Sequence, residues 1–537
     1  MRDGDTLNER LRPRDLAILA MDSASTPMHN ATLEVFDAGD SDFGHARVVE
    51  LIADRISYVP RYRQRLQKVP GQLANPVWVD DTEFDLSFHV RRSALPRPGT
   101  MDQLRELTAR IVSRPLDRSH PLWEVYVIEG LEHGRVAMLS KSHQILVDGV
   151  ETVDLGQVIL DHDPSLRALG HDDEWQPRRT PTPSGLLLGA LTDNLESPRV
   201  LVQSARSNLG ALKRAASSVA QVANEAAGVF SSGRPAVSSP VIGELSQQRR
   251  VLTVETDLAD YRSIRRVHRT TVNDVILATV TGALRSWLMA RDEALYGIKK
   301  MKAIVPMSVI DDELEATSLG TQVIGYEVNL PVGEVSPVVR LLQVSYSFQG
   351  HKEAGRSVSA QRLTGISGFA PTTFHALGSR VAAGELRRGF QLSVTNVPGP
   401  QFPLYAAGAQ MLESYPIHPL LPGHALAIGV TSYDGKVYYG ITADRDLVPD
   451  ADVLAQSLLE TLEELCDTAT GARPRAPRGR KGGSAQRPRK KTASKRSATK
   501  KSATSKSPLK RGAKKAAAQP SDEAAPDPKS PSGQEKK

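Results

Sequence analysis

The sequence holds a single cysteine, Cys466, in 537 residues. That excludes an internal disulfide framework and a cysteine-based metal cluster, and it fits a reducing cytosol. Long apolar runs are also missing: residues 185–191 form one of the longest, far short of the ~20 residues that span a bilayer. Any meeting with a membrane is therefore expected from its surface. The first ten residues are charged rather than apolar, so no secretory signal is predicted. Aromatic residues make up only 5% of the chain and none lies in 471–537, which argues against sequence-specific recognition of nucleic acid by stacking there.

Hydrophobic residues, at 40% of a chain this long, suffice for two domains with sizeable cores. The net charge of +7 hides a division. Residues 471–537 carry 21 Lys+Arg against 4 Asp+Glu, and the rest of the chain carries 47 against 57. An acidic globular part thus precedes a strongly basic tail. With Leu509 as its sole large aliphatic residue, the tail cannot bury enough surface to offset chain entropy, and it is expected to be disordered. Its lysine runs suit the phosphates of nucleic acid or the anionic face of a membrane, and charge alone leaves the two open.

Chemistry concentrates in one stretch. Residues 135–141 alternate apolar and polar side chains, and 150–160 place apolar residues at helical spacing. Between them, Ser142-His143-Gln144-Ile145-Leu146-Val147-Asp148-Gly149 falls where a strand turns into a helix, a position that fixes side chains while leaving them accessible. His143 is a candidate base near neutral pH. A purely structural account also fits, with Asp148 and Glu151 as an N-cap arrangement, Gly149 in a tight turn and His143 as a satisfied core residue. The histidines and acids of 161–179 match no strong ligand template and read as a solvated loop.

The stretch resembles the His-His-x-x-x-Asp-Gly signature of bacterial wax ester synthase/diacylglycerol acyltransferases and the related CoA-dependent acyltransferases and condensation domains. In that resemblance the second histidine is the general base, and it falls here on Gln144. A glutamine amide can hydrogen-bond but takes no proton near pH 7. His143 could replace it only through a bulge or a local rearrangement, because neighbouring side chains of an extended segment face opposite ways. The resemblance continues through Pro121-Leu122-Trp123, where Trp123 reads as a packing anchor, and through Thr271-Val272-Asn273-Asp274. It places Asn273 and Asp274 near an active-site tunnel, although a helix cap explains both equally well. Leu319-Gly320-Thr321 stands in for a usual Leu-Gly-Asn. In Asn396-Val397-Pro398-Gly399-Pro400 a rigid turn ends a strand, so that amides and Asn396 can orient a carbonyl or an alcohol, while a structural corner explains the prolines as well.

The resemblance runs from about residue 11 to 465 and implies an α/β fold of two chloramphenicol-acetyltransferase-like domains, each a mixed sheet covered by helices, with a tunnel between them. The expected organisation is an N-terminal domain over 1–179, a helical connector over 180–248 whose residues 197–230 form an amphipathic helix, a C-terminal domain over 249–470 and the tail over 471–537. The implied reaction transfers a long acyl chain from acyl-CoA, as co-substrate, to diacylglycerol or a fatty alcohol. No bound cofactor, metal or covalent intermediate is implied, and Asp148 shapes the loop rather than taking the proton. The arginines of 60–66 suit CoA phosphate or an ordinary solvated edge. A cytoplasmic location is expected, with peripheral attachment to the inner face of the membrane or to lipid droplets left open. Gln144 also motivates the alternative of a non-catalytic homologue that binds lipid or acyl-CoA.

Overall fold

The structure is a computed structural model that describes residues 9–39, 43–70, 74–147, 155–165, 175–186, 239–291, 299–310, 321–353, 371–385 and 389–471. The expected amphipathic connector helix, Gly320 and the basic tail lie outside the described residues.

The N-terminal half contains α1 (Pro13–Met21), β1 (His29–Asp37), α2 (His45–Arg55), β2 (Gln64–Gln67), β3 (Val77–Asp80), α3 (Leu86–His89), β4 (Val90–Ala94), α4 (Met101–Val112), β5 (Trp123–Glu129), β6 (Arg135–His143) and α5 (Leu155–Ile159). The C-terminal half contains β7 (Arg249–Asp257), α6 (Leu258–His268), α7 (Val272–Ala290), β8 (Met301–Ile310), β9 (Thr321–Leu330), α8 (Pro337–Glu353), α9 (Pro371–Gly384), β10 (Leu392–Pro398), β11 (Tyr405–Ala406), β12 (Ala409–Ile417), β13 (Leu426–Tyr433), β14 (Lys436–Asp444) and α10 (Ala451–Thr470).

Two six-stranded mixed sheets result, in the orders β11-β12-β1-β6-β5-β4 and β7-β14-β13-β10-β8-β9. In the first, only β4 and β5 run parallel. In the second, β10 runs parallel to both β8 and β13. Local chemistry explains the elements. The Thr100 hydroxyl and Gln103 amide form a capping box that starts α4. Asp434 and Gly435 both adopt positive φ, 41° and 80°, as the two-residue turn between β13 and β14 requires. Helix α7 is buried nearly all round because α6, α8 and α10 pack against it.

The halves are interleaved rather than beaded. Strand β12 belongs by sequence to the second half, yet it pairs with β1 in the first sheet, so a cut of the chain near 249 separates a strand from its sheet. Where β12 leaves, its backbone lies on the facing glycines Gly429 and Gly440 of β13 and β14. A Cβ on Gly440 would stand 1.9 Å from the Pro416 carbonyl oxygen, and one on Gly429 2.8 Å. Tyr433 and Tyr438 then grip β12 by donating to the carbonyls of Met411 and Leu412, each at 2.8 Å. Alternation along β10 divides its faces. Leu392 and Val394 join the core beneath α7, while Thr395 faces Gly378 of α9. Ala382 and Ala383 of α9 belong to the same apolar cluster as the core of the first sheet, so α9 is packed between the two sheets.

Candidate active site

His143 ends β6, opposite His29 of β1, and Gln144 opens a single 3-10 turn through Leu146. The strand therefore gives way to one tight turn. Asp148 and Gly149, the motif residues expected to shape the loop, lie outside the described residues.

His143 is hydrogen-bonded on one ring nitrogen and faces a carboxylate with the other. Its Nδ1 accepts the Ile145 N–H at 3.3 Å, and its Nε2 faces the Asp22 carboxylate at 3.4 Å. Asp22 also accepts the Met28 N–H at 2.9 Å and pairs with Arg118 at 2.7 Å. Burial opposes the charge on Asp22, but the His143 imidazole, the Arg118 guanidinium and the Met28 amide outweigh it and hold the carboxyl well below the usual carboxylate range. This arrangement fixes the entry to the loop and leaves His143 little freedom to turn elsewhere.

Gln144 is fully buried, and among the described residues neither its Oε1 nor its Nε2 has a hydrogen-bond partner. An orphaned buried amide costs ~1–3 kcal/mol, so its retention marks a position that serves something besides stability. The backbone around it is satisfied from far along the chain. Arg380 of α9 donates to the carbonyls of Gln144, at 3.0 Å, and Val147, and its other arm pairs with buried Asp15 of α1. Val147 packs on Ala376 and Leu377 of the same helix.

A narrow cavity opens beside this turn, lined among others by Asn30, Thr32, Tyr62, Lys141, Val147 and Ala376. Lys141 is buried and donates to the carbonyl of Arg114 at 2.7 Å, with Glu124 at 3.4 Å, and burial lowers its pKa despite that carboxylate. Across the cavity wall, Ser379 of α9 lies 2.8 Å from Asn30 Oδ1 and 2.7 Å from Nδ1 of His418, which follows β12. The His375 ring lies 5.1 Å from that of His418, and both nitrogens of His375 are without a partner among the described residues. Burial keeps both imidazoles neutral, lowering His418 to about 4 and His375 well below the ordinary histidine value.

The remaining sequence candidates form a second group. Asn396 donates to Asn273 Oδ1 at 3.0 Å, which joins two motifs 123 residues apart. Asp274 closes the cap of α7, exchanging bonds with Thr271 at 2.9 and 3.1 Å and accepting from Ser345 at 2.9 Å. Pro398 ends β10, and the Gly399 N–H donates to the Ser432 carbonyl at 2.9 Å. Among the described residues no hydrogen bond links this group to the Gln144 turn; Asn396 lies on the face of β10 turned toward α7, opposite α9. The arginines of 60–66 are engaged within the protein. Arg61 pairs with Glu9 at 2.5 Å and stacks on Trp78, Arg63 stacks on Trp175, and Arg65 meets Asp81 at 3.6 Å. Trp123 is completely buried and donates to the Tyr62 carbonyl at 2.7 Å. Among the described residues no cluster of three metal-ligating side chains occurs, and no helix is long and apolar enough to cross a membrane.

Sequence reading missed Asp22, Asn30, His375, Ser379, Arg380 and His418. None belongs to a local motif. The one available signal was the His375/Ser379 and Ala376/Arg380 spacing, four residues each, which puts each pair on one face of a helix.

Known proteins show the same organisation. The family model for the wax ester synthase/diacylglycerol acyltransferase catalytic domain matches residues 11–276, and that for the WS/DGAT C-terminal domain matches 319–466. The chain is 33% identical over 414 residues to tgs1 of Mycobacterium tuberculosis, which is named a diacylglycerol O-acyltransferase, covering 77% of this chain and 86% of that protein. For tgs2 of the same organism, which carries the same name, the figures are 32% over 463 residues, 85% and 98%. The solved wax ester synthase/diacylglycerol acyltransferase from Marinobacter aquaeolei VT8 has a TM-score of 0.59 at 26% identity, over 86% of this chain and 99% of that one. Matched by both family models and by relatives along most of its length, this chain belongs to the wax ester synthase/diacylglycerol acyltransferase family.

Proposed function

We propose that the protein transfers a long-chain acyl group from acyl-CoA to the hydroxyl of diacylglycerol, forming triacylglycerol, or to that of a fatty alcohol, forming a wax ester. The observation that carries this reading is the match along most of the chain to relatives named for that reaction. The site supports it. A buried turn clamped by Arg380 borders a cavity, and a buried polar side chain at 144 has no hydrogen-bond partner among the described residues. Such a group is suited to hold a polar atom of a substrate that is otherwise apolar. In this reading residues 1–179 and 249–470 supply the two walls of an acyl tunnel, with Asp148 and Gly149 shaping the loop, while Asn273 and Asn396, bonded to each other, and Gly399, bonded to Ser432, brace the second wall.

A second reading, a lipid-binding homologue without catalysis, is favoured by one observation: the motif position of the base is Gln144, and His143 is tied to Asp22. One experiment separates the two. The purified full chain is given labelled palmitoyl-CoA with diacylglycerol or hexadecanol, presented in neutral or anionic vesicles. Ester from the wild type is expected, whereas ester only from Gln144→His would leave the scaffold intact and the natural protein non-catalytic. The same assay run without residues 471–537 tests the tail as a peripheral anchor: we expect the preference for anionic vesicles to disappear, while a gain for both forms on added DNA would assign the tail to nucleic acid instead.

A further inference from the structure

We propose that His375 of α9 is the catalytic base of this enzyme, taking the proton from the acceptor hydroxyl in place of the motif histidine that Gln144 replaces. Asn30, Ser379 and His418 form the polar wall that seats that hydroxyl. This rests on the acyltransferase reading above and assigns its missing proton acceptor.

Four observations carry it. First, α9 is packed between the sheets and touches the motif turn directly, through Arg380 on the Gln144 carbonyl at 3.0 Å and through Ala376 and Leu377 on Val147. The helix that carries His375 is therefore anchored at the turn that lost its base. Second, His375 and Ser379 share a face of α9 one turn apart. Ser379 reaches Asn30 at 2.8 Å; Asn30 and Ala376 line the cavity, and His375, Ser379 and His418 lie directly behind that lining, so a small shift of α9 brings the imidazole to the acceptor. Third, polar atoms without partners collect here. Both nitrogens of His375, Nε2 of His418, Nδ2 of Asn30 and the Gln144 amide are buried, and among the described residues none is hydrogen-bonded. A fully buried imidazole with neither nitrogen bonded among the described residues differs from the structural histidines of this fold. His89, His29 and His424, by contrast, each spend ring nitrogens on backbone carbonyls at 2.8 to 3.0 Å. Fourth, burial keeps His375 neutral before reaction, the form able to accept a proton, although the same burial weakens it as a base until charge develops beside it.

The step balances without a co-reactant. The acceptor oxygen attacks the thioester carbonyl carbon, the new C–O bond forms and the C–S bond breaks. The hydroxyl proton passes to a His375 ring nitrogen and from there to the departing thiolate, releasing CoA as the thiol and returning His375 to its neutral state. His418, which faces His375 at 5.1 Å and is hydrogen-bonded to Ser379, limits the positions the ring can take.

The test uses the purified full chain with palmitoyl-CoA and either diacylglycerol or hexadecanol, following ester formation, acyl-CoA binding by calorimetry and thermal unfolding. His375→Gln is expected to lower kcat about 10²-fold or more, with acyl-CoA affinity unchanged. His375→Asn serves as the second variant should the first fail to fold. A folded variant that keeps kcat within about threefold of wild type overturns the assignment while leaving the acyltransferase reading in place, and a fall in acyl-CoA affinity without a fall in kcat overturns it in favour of a binding role. If the wild type binds palmitoyl-CoA but forms no ester with either acceptor, the acyltransferase reading itself fails and the assignment falls with it.

Discussion

Gln144 and His143 stand side by side and are treated in opposite ways by the fold. The His143 ring accepts the Ile145 N–H on Nδ1 and turns Nε2 to the Asp22 carboxylate at 3.4 Å, a charge contact without hydrogen-bond geometry. Neither polar atom of the Gln144 amide is used among the described residues. The penalty for such a group is ~1–3 kcal/mol, so Gln144→Met, which keeps the length and removes the amide, is expected to raise stability by about 1 kcal/mol or more. Urea unfolding at neutral pH measures this. An unchanged or lower midpoint would mean that the amide is satisfied in the folded protein. His143 could be read in two ways from sequence, as base or as core residue, and its two ring contacts favour the second.

At the scale of elements, two features organise the molecule, and the sequence announces neither. Strand β12 leaves the second half to pair with β1, and α9 lies between the sheets with Ser379 and Arg380 directed to the first. The crossing of β12 depends on the absence of two side chains, at Gly429 and Gly440. Gly440→Ala places a methyl group against the Pro416 carbonyl, 1.9 Å away in the present backbone, and is expected to cost ~1–3 kcal/mol or more by forcing the strand off the second sheet. Gly384→Ala is the control, because among the described residues nothing lies within 4 Å of a Cβ there. Equal unfolding midpoints for the two variants would show that the crossing yields easily.

For the molecule as a whole, the buried histidines set the acid limit of stability. Burial, stronger than the opposing bond to the Trp123 carbonyl, pushes His89 down to about 4, and burial alone does the same to His418. His29, His375 and His424 are shifted in the same direction, each chiefly by burial. Because the folded values lie below the ordinary 6.5, the unfolded chain binds protons that the folded chain does not as pH falls from 6.5 toward 4. Stability is therefore fully present above pH 6.5 and declines through that window, by ~2 kcal/mol or more. Asp22 acts lower: its depressed carboxyl contributes stability above the ordinary carboxylate range and loses it only in stronger acid. Unfolding midpoints at pH 7.5, 6, 5 and 4 check the order. A flat profile between 7.5 and 5 would show that these imidazoles are not held neutral by the fold.

Sequence alone determined the class of fold, most of the strands and helices, the family and the position of the motif. Those properties are written locally, in alternation along β6, in the helix start at Asp274, in the Asp434-Gly435 turn and in contiguous motif residues whose spacing survives without coordinates. It also isolated Gln144 as the departure that any mechanism has to answer. Only the tertiary structure decided what surrounds that residue. The Asn273–Asn396 bond closes a distance of 123 residues, the Ser379–Asn30 bond one of 349, and the Arg380 clamp on the Gln144 carbonyl one of 236. No periodicity encodes such meetings, because a side chain's partner across the chain depends on how β12 crosses and how α9 is packed between two sheets. The pattern along a segment fixes which face is buried, and the packing of segments fixes which buried polar groups come together.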